Sequence, residues 1–140
     1  MEALSRIERS LVELFRMEEW ERDPAFSRFI PMVYETVRFD WRSFFEPTFV
    51  RTFNGMMLRG AEQVQTVYLA VFPTDDVLER FLAMAAPGDL LFMHNPLLIE
   101  CGDPRGAWGR GFLPIRPDLL EAIREQELSV FTCHLPMDTS

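Results

Sequence analysis

The chain has two histidines, and each directly follows a short apolar run with the composition of a buried strand. His94 follows residues 89–93, His134 follows residues 129–133, and Asp138 lies four residues beyond the second histidine. The carboxyl ends of parallel strands meet at one edge of a sheet, where α/β proteins build their ligand sites. Imidazole and carboxylate groups brought together there suit a divalent ion such as zinc, manganese, iron or nickel. We therefore predict a metal site at His94 and Asp138, with His134 as a secondary candidate.

Two more potential ligands lie close to His94 in the sequence. Asn95 offers a neutral carbonyl oxygen and Glu100 offers a carboxylate, so both are secondary candidates for the site. Cys133 lies inside an apolar run, which is typical of a small core residue. The alternative for His94 is a half-buried histidine that is hydrogen-bonded to the backbone. The residue types alone leave both alternatives open.

The elements that must position these residues alternate between strand and helix from residue 64 onward. Thr74 is predicted to cap the first helix, Pro87 and Gly88 to end it, and Pro117 to begin the second. The predicted segments are a strand at 64–72, a helix after Thr74, a strand at 89–93, a loop at 95–116, a helix from Pro117 and a strand at 129–133. This β-α-β-α-β order predicts an α/β fold with a largely parallel sheet in a three-layer sandwich.

The first 53 residues are predicted to be helical and rich in aromatic side chains. Apolar residues recur at helical spacing over residues 3–21, which predicts an amphipathic helix that packs on the sheet. Asp23 is predicted to cap a short helix over residues 26–30. The aromatic segment, residues 31–53, can pack in the core or form a subunit interface. Core packing is favoured, and surplus aromatic surface is expected to place this segment at or near a contact in a homo-oligomer.

Composition limits the classes of protein that this sequence can represent. With 140 residues and 48% apolar content, the chain is expected to form one domain, 1–140, with residues 54–140 as the sheet-containing part. The net charge of −8 argues against nucleic-acid binding and favours a cationic ligand. No segment has the roughly 18 to 20 consecutive apolar residues of a membrane span. Two cysteines are too few for a disulfide framework, so a cytoplasmic location and an unidentified small-molecule substrate are expected.

Four stretches of the sequence occur in an order and spacing that match a known family. They are Asn54–Gly60, the strand at 65–72 followed by Thr74–Val77, Asp89–Leu98 and Val130–Asp138. The third is similar to Asp-Leu-(Ile/Leu)-x-x-His-His-Pro-Leu, and the fourth to Val-x-x-Ala-His-Thr-Asn-Leu-Asp. Together they resemble the N-terminal half of the Nif-like family, named after NGG-interacting factor three and known in bacteria as type 2 GTP cyclohydrolase I homologues. The resemblance covers about 85 of the 140 residues.

The Nif-like resemblance implies a two-metal site and a toroidal hexamer. In that comparison His94 matches the first histidine ligand and Asp138 the aspartate ligand. His134 matches a motif histidine that is not a principal ligand. The second histidine of the family is replaced by Asn95 in this sequence. The remaining family ligands, a histidine and a glutamate, belong to a C-terminal half that has no counterpart in these 140 residues.

The sequence leaves three functions to compare. The favoured one is a Nif-like domain without enzymatic activity, which keeps at most a residual divalent-metal site at His94 and Asp138. The alternative is a metal-dependent hydrolase, similar to GTP cyclohydrolase type 2, whose dinuclear site is completed by a missing C-terminal half or a partner chain. The third is an acidic α/β domain without catalysis.

Overall fold

The computed structural model describes residues 1–99 and 112–138. The strands are β1 (Glu2–Ala3), β2 (Gly55–Leu58), β3 (Gln63–Val64), β4 (Val67–Ala70), β5 (Leu90–Met93), β6 (Leu98–Ile99), β7 (Phe112–Leu113) and β8 (Ser129–Thr132). The α-helices are α1 (Leu4–Leu14), α2 (Phe26–Thr36), α3 (Trp41–Phe44), α4 (Pro47–Thr52), α5 (Asp75–Met84), α6 (Pro117–Glu125) and α7 (Leu135–Asp138), and Met17–Glu19 form a 3₁₀ turn. No helix in this part of the chain is both long and apolar enough to cross a membrane.

Four of these strands form the central sheet, in the order β2-β8-β5-β4. The strands β4, β5 and β8 run parallel, as the alternation of strands and helices predicts, whereas β2 pairs antiparallel with β8. The α/β class is therefore confirmed, with a mixed sheet. The carboxyl ends of β4, β5 and β8 define one edge of the sheet, called the carboxyl edge below. His94 and His134 both follow strands that end there.

The antiparallel strand β2 lies outside the predicted strands, because Asn54-Gly55 indicated only a turn. Gly55 adopts a positive φ of 97° at the start of β2, a backbone conformation that suits glycine. The strand begins with Gly55 opposite Thr132, and all four of its residues are buried. The amino end of β2 therefore lies at the carboxyl edge, and it brings Asn54 there as well.

Apolar side chains pack on both faces of the sheet. The larger cluster contains Leu91 and Met93 of β5, together with residues from α2 through α6. The smaller cluster contains Leu90, Phe92 and Phe131, and side chains of α1 pack against it. Successive residues of β5 thus alternate between the two clusters. This arrangement explains why β5 reads as a continuous apolar run.

The aromatic segment packs in the larger cluster. Trp41, Phe45, Phe49 and Phe53 are all buried, and Phe45 and Phe49 meet edge to face with ring centroids 5.3 Å apart. The favoured prediction of core packing is confirmed. The surrounding helices cover these four side chains, and the expectation that the segment lies at or near a contact between subunits stays a prediction.

Several element boundaries differ from the predictions. The first helix ends at Leu14, and Arg16 follows it with a positive φ of 51°. The helix predicted over residues 26–30 continues to Thr36 with Pro31 in its interior, where proline provides no backbone N–H donor. The strand predicted at 64–72 is two strands, β3 and β4, and β3 pairs with β1. The predicted loop contains β6 and β7, which pair antiparallel.

Candidate metal centre

His94 is held at the end of β5 by two hydrogen bonds. Its backbone N–H donates to the carbonyl oxygen of Ala70 (3.2 Å), which continues the pairing with β4. Its ring atom Nδ1 lies 2.9 Å from the carbonyl oxygen of Cys133. A carbonyl can only accept, so Nδ1 carries the ring proton and Nε2 is left with a lone pair in the neutral imidazole. Nε2 lies 3.1 Å from Oδ1 of Asp138.

His134 is also held by hydrogen bonds at its backbone N–H and at its ring Nδ1, but the acceptors are different groups. Its backbone N–H donates to Oδ1 of Asn54 (2.8 Å), and its Nδ1 donates to Oδ2 of Asp23 (2.8 Å). The ring of Phe26 packs against the imidazole edge to face, at a centroid distance of 4.8 Å. Nε2 is again the free ring nitrogen, and it lies 4.0 Å from Oδ2 of Asp138.

Asp23 is the residue of this site that the sequence analysis missed. It was predicted only as a helix cap, and it does cap α2: Oδ1 accepts the backbone N–H groups of Ala25 and Phe26, each at 3.0 Å. Its other oxygen binds His134, 111 residues further along the chain. The side chain is fully buried. No signal in the sequence links the two residues, since the cap alone accounts for the aspartate.

Asp138 faces both histidines because α7 is a single helical turn. The backbone N–H of Asp138 donates to the carbonyl oxygen of His134 (3.1 Å), which places the carboxylate on the same side as that ring. The side chain is about half exposed, whereas both imidazoles are mostly buried. The group therefore opens to solvent on the side of the carboxylate.

His94, His134 and Asp138 form a group whose ligand atoms all lie within 4.8 Å of one another. Two ligands held about 2.1 Å from a tetrahedral ion lie about 3.4 Å apart, which falls between the two observed nitrogen–oxygen distances of 3.1 and 4.0 Å. Each Nδ1–H is held by an oxygen acceptor, the arrangement usual for histidines that bind a metal. Nitrogen lone pairs that face a carboxylate require a cation or a proton between them. The three side chains therefore fit a divalent ion.

Two nearby side chains, those of Asn95 and Cys133, stand apart from this group. Asn95 directs both its backbone N–H (3.0 Å) and its Nδ2 (3.4 Å) to the carbonyl oxygen of Val71. Glu100 lies outside the described residues. Cys133 is buried, as predicted, and burial raises the pKa of its thiol to about 12, with a smaller contribution from the Asp138 carboxylate. Its Sγ is not among the grouped ligand atoms, and the contact of Cys133 with His94 is made through its carbonyl oxygen.

A cleft of about 760 Å³ adjoins the group through Asn54. Met17 and Trp20 contribute apolar surface to the cleft, and Arg51 contributes a cation. Asn54 lines this cleft and also holds the backbone of His134. A molecule bound in the cleft would therefore contact one of the residues that position the histidines.

No protein-family model matches the chain, and neither a curated protein nor a solved structure matches it. The chemistry of the group is therefore inferred from the donor atoms that its three side chains provide. Two imidazole nitrogens and one carboxylate supply three ligands, the number that catalytic zinc sites take from the protein. The same donor set, two histidines and a carboxylate on one side of the metal, also binds iron(II).

Proposed function

We propose that the chain binds one divalent transition-metal ion through Nε2 of His94, Nε2 of His134 and the carboxylate of Asp138. One observation carries the proposal: both imidazoles commit Nδ1 to an oxygen acceptor and direct Nε2 at the same carboxylate. Such an arrangement fixes the tautomer before an ion arrives. The charge of −8 also favours a cation over an anionic ligand.

The proposed site is mononuclear. The three side chains offer too few ligands for two ions, and they are the one such group found among residues 1–99 and 112–138. Zinc is the expected ion because two nitrogen donors and one oxygen donor suit its tetrahedral preference. Iron, nickel and manganese are the alternatives, and they bind the same donor types.

As part of the same proposal, the chain is a relative of the Nif-like family. It is supported by the 3.1 Å distance between His94 and Asp138, the two residues that the resemblance equates with ligands. The helices that pack on both faces of the sheet are compatible with the three-layer sandwich that the order of strands and helices predicts. The chain differs from the family in Asn95, which bonds to Val71, and in His134, which lies in the group. We propose a relative with a reduced site of one ion.

Metal-assisted hydrolysis is a second candidate function, favoured by the half-exposed carboxylate and the adjoining cleft. A divalent ion in such a site lowers the pKa of a coordinated water and polarises a substrate oxygen. The Asp23 carboxylate would keep the proton on Nδ1 of His134 throughout, and Asn54 would hold that residue's backbone.

Calorimetric titration of chelator-treated protein with zinc and with manganese tests the binding proposal. We expect one ion per chain, and His94→Ala, His134→Ala and Asp138→Asn should each abolish or strongly weaken binding. Asp76→Asn is the matched control, because Asp76 is an exposed carboxylate in the first turn of α5. Two tightly bound ions per chain, or unchanged binding in His94→Ala, would overturn the proposal.

The hydrolase candidate needs its own experiment. The zinc-loaded protein is incubated with GTP and with a panel of phosphate and carboxylic esters, and chelator-sensitive turnover is measured. Activity that disappears in Asp138→Asn but persists in Asp76→Asn would support hydrolysis. Metal binding without turnover on any substrate would favour the non-enzymatic alternative.

A further inference from the structure

The strand β4 forms an open edge of the central sheet. Its inner side pairs with β5, and no strand of the described residues pairs with its outer side. The carbonyl oxygen of Thr66 accepts from Leu90, and that of Ala70 accepts from His94. Backbone groups in a parallel ladder alternate in direction, so the N–H and C=O groups of Val67 and Leu69 point outward. These are the groups that pairing with another strand would use.

The same strand exposes a row of apolar side chains. Val67 and Leu69 are 42% and 77% exposed, and we call them the β4 stripe; Val71, just beyond the strand, is 56% exposed. Leu69 is the register partner of Phe92, so the stripe lies on the sheet face that α1 covers. The helix packs over the neighbouring strands but leaves the stripe in contact with solvent.

The sequence around β4 lacks the features that keep an isolated edge from pairing. Residues 65–72 (Gln-Thr-Val-Tyr-Leu-Ala-Val-Phe) contain no charged residue and no proline. Monomeric proteins commonly protect such edges with lysine, proline or a bulge. Here the pairing with β5 is regular over the whole strand, without a bulge. Among residues 1–99 and 112–138, the edge is therefore open in both its side chains and its backbone.

We propose that β4 pairs antiparallel with β4 of a second copy of this chain. With Tyr68 on the two-fold axis, Val67 faces Leu69 of the second copy, and the outward N–H and C=O groups of both residues pair. The stripe is thus complementary to itself under a two-fold rotation, which is the requirement for an isologous interface. The two four-stranded sheets become one continuous sheet of eight strands, and the open edge of each copy is closed by the other.

The dimer and the metal group are independent features of the molecule. Antiparallel pairing directs the two copies of β4 in opposite directions, so the two carboxyl edges face opposite ends of the combined sheet. Each metal group keeps its own His94, His134 and Asp138. Loss of the dimer should therefore leave metal binding unchanged, and loss of metal binding should leave the dimer unchanged.

Sedimentation velocity from about 1 to 100 μM tests the dimer, using the full chain and the variant Leu69→Lys. We expect the wild-type protein to approach twice its mass of 16.4 kDa with rising concentration. Leu69→Lys should stay monomeric over this range, which corresponds to at least a tenfold weaker association. Val67→Lys, at the other end of the stripe, should weaken association in the same direction. Circular dichroism verifies that both variants fold.

Met84→Lys is the matched control, because Met84 is 66% exposed but lies on α5, which contributes to the other face of the sheet. This variant should dimerise like the wild-type protein. A wild-type monomer at 100 μM, or a dimer that survives both stripe substitutions, would overturn the proposal. Species that keep growing beyond the dimer would also overturn it, because a two-fold interface closes. If the wild-type chain stays monomeric but its β4 binds a strand of another protein, the edge serves a different partner and the proposal is overturned.

Amide exchange measured by NMR at two protein concentrations gives a second test that needs no substitution. The outward N–H groups of Val67 and Leu69 should become protected as the concentration rises. The inward N–H groups of Tyr68 and Ala70 should be protected at both concentrations. Equal exchange at Leu69 in dilute and concentrated samples would overturn pairing through this strand.

Discussion

Two buried aspartates, Asp23 and Asp89, are satisfied by the same number of hydrogen bonds but by different donors. Asp89 precedes β5 and accepts three backbone N–H groups, from Gln65, Thr66 and Ala86, at 3.2, 2.9 and 2.9 Å. Asp23 accepts two backbone N–H groups and, as its third donor, the imidazole N–H of His134. The two residues lie towards opposite ends of the sheet, Asp89 before a strand and Asp23 beside the carboxyl edge.

This difference indicates that Asp89 has a structural role only, whereas Asp23 also orients a side chain of the proposed metal site. A buried carboxylate without donors costs several kcal/mol, so both residues need their three partners. When all donors are backbone amides, the carboxylate connects segments of chain and has no further capacity to direct a side chain. When one donor is an imidazole, the carboxylate also decides which ring nitrogen keeps its proton. We therefore expect Asp23 to affect both stability and the affinity of the proposed metal site, and Asp89 to affect stability alone.

The largest expected effect is at Asp89. Asp89→Ala leaves three partly buried N–H groups without their charged acceptor, so we expect the free energy of unfolding to fall by about 4 kcal/mol. Denaturant titration measures the loss, and Asp76→Ala, at an exposed carboxylate, should change stability by less than about 0.5 kcal/mol. Zinc affinity of the folded fraction should equal that of the wild-type protein. A tenfold weaker affinity would remove the distinction between the two aspartates.

The next effect is on metal affinity and is produced by Asp23→Asn. The amide oxygen can still cap α2, but its NH₂ group then faces Nδ1 of His134 and favours the tautomer with the proton on Nε2. Zinc affinity should fall by roughly 10- to 100-fold, the usual range for loss of such a partner. The accompanying loss of stability should be about 1 to 2 kcal/mol. Affinity unchanged within twofold would show that Asp23 is only a cap.

A smaller effect is expected at Asn54, which holds the backbone of His134 and not its ring. Asn54→Ala removes the acceptor of one N–H group and should lower stability by about 1 to 2 kcal/mol. Zinc affinity should fall only a few-fold, because the tautomer set by Asp23 is kept. Asn95→Ala is the matched buried control, since its side-chain bond to Val71 is long at 3.4 Å. A larger stability loss in Asn95→Ala than in Asn54→Ala would contradict this assignment.

The smallest expected effect is at Thr74, where a substitution tests helix capping without changing a group that contacts the histidines. Thr74 caps α5 through a hydrogen bond from Val77 N–H to its hydroxyl oxygen (3.1 Å), and it touches neither histidine. Thr74→Ala should cost about 1 kcal/mol, as typical caps do. Metal titration should be indistinguishable from wild type. Comparison with Asp23→Asn then shows how much of the aspartate's effect exceeds capping.

The convergence of His94 and Asp138 could be predicted because it depends on local patterns and on one topological rule. Each residue follows an apolar run, and strands separated by helices lie parallel with their carboxyl ends together. The distance of 3.1 Å between the two side chains agrees with that prediction. The helix cap at Thr74 and the helix start at Pro117 were likewise predictable, since they depend on neighbouring residues.

The groups that orient the histidines could not be predicted, because they come from distant parts of the chain. Asp23 is 111 residues from His134, and Asn54 is 80 residues away from it. Both were already explained by local roles, as a cap and as a turn. The strand β2 was not predicted for the same reason, because its antiparallel partner β8 follows more than 70 residues later. Periodicity predicts which elements form, whereas long-range pairing decides which side chains meet.

The position of β8 in the sheet has a consequence for how the protein is made on the ribosome. β8 lies between β2 and β5, yet it follows every other strand of the central sheet in the sequence. Until residues 129–132 emerge, β2 has no neighbour in the sheet and one side of β5 is unpaired. The next six residues bring His134 and Asp138. A nascent chain that stalls before residue 129 thus has unpaired strand edges that chaperones can bind, and it contains only one of the three proposed ligands, His94.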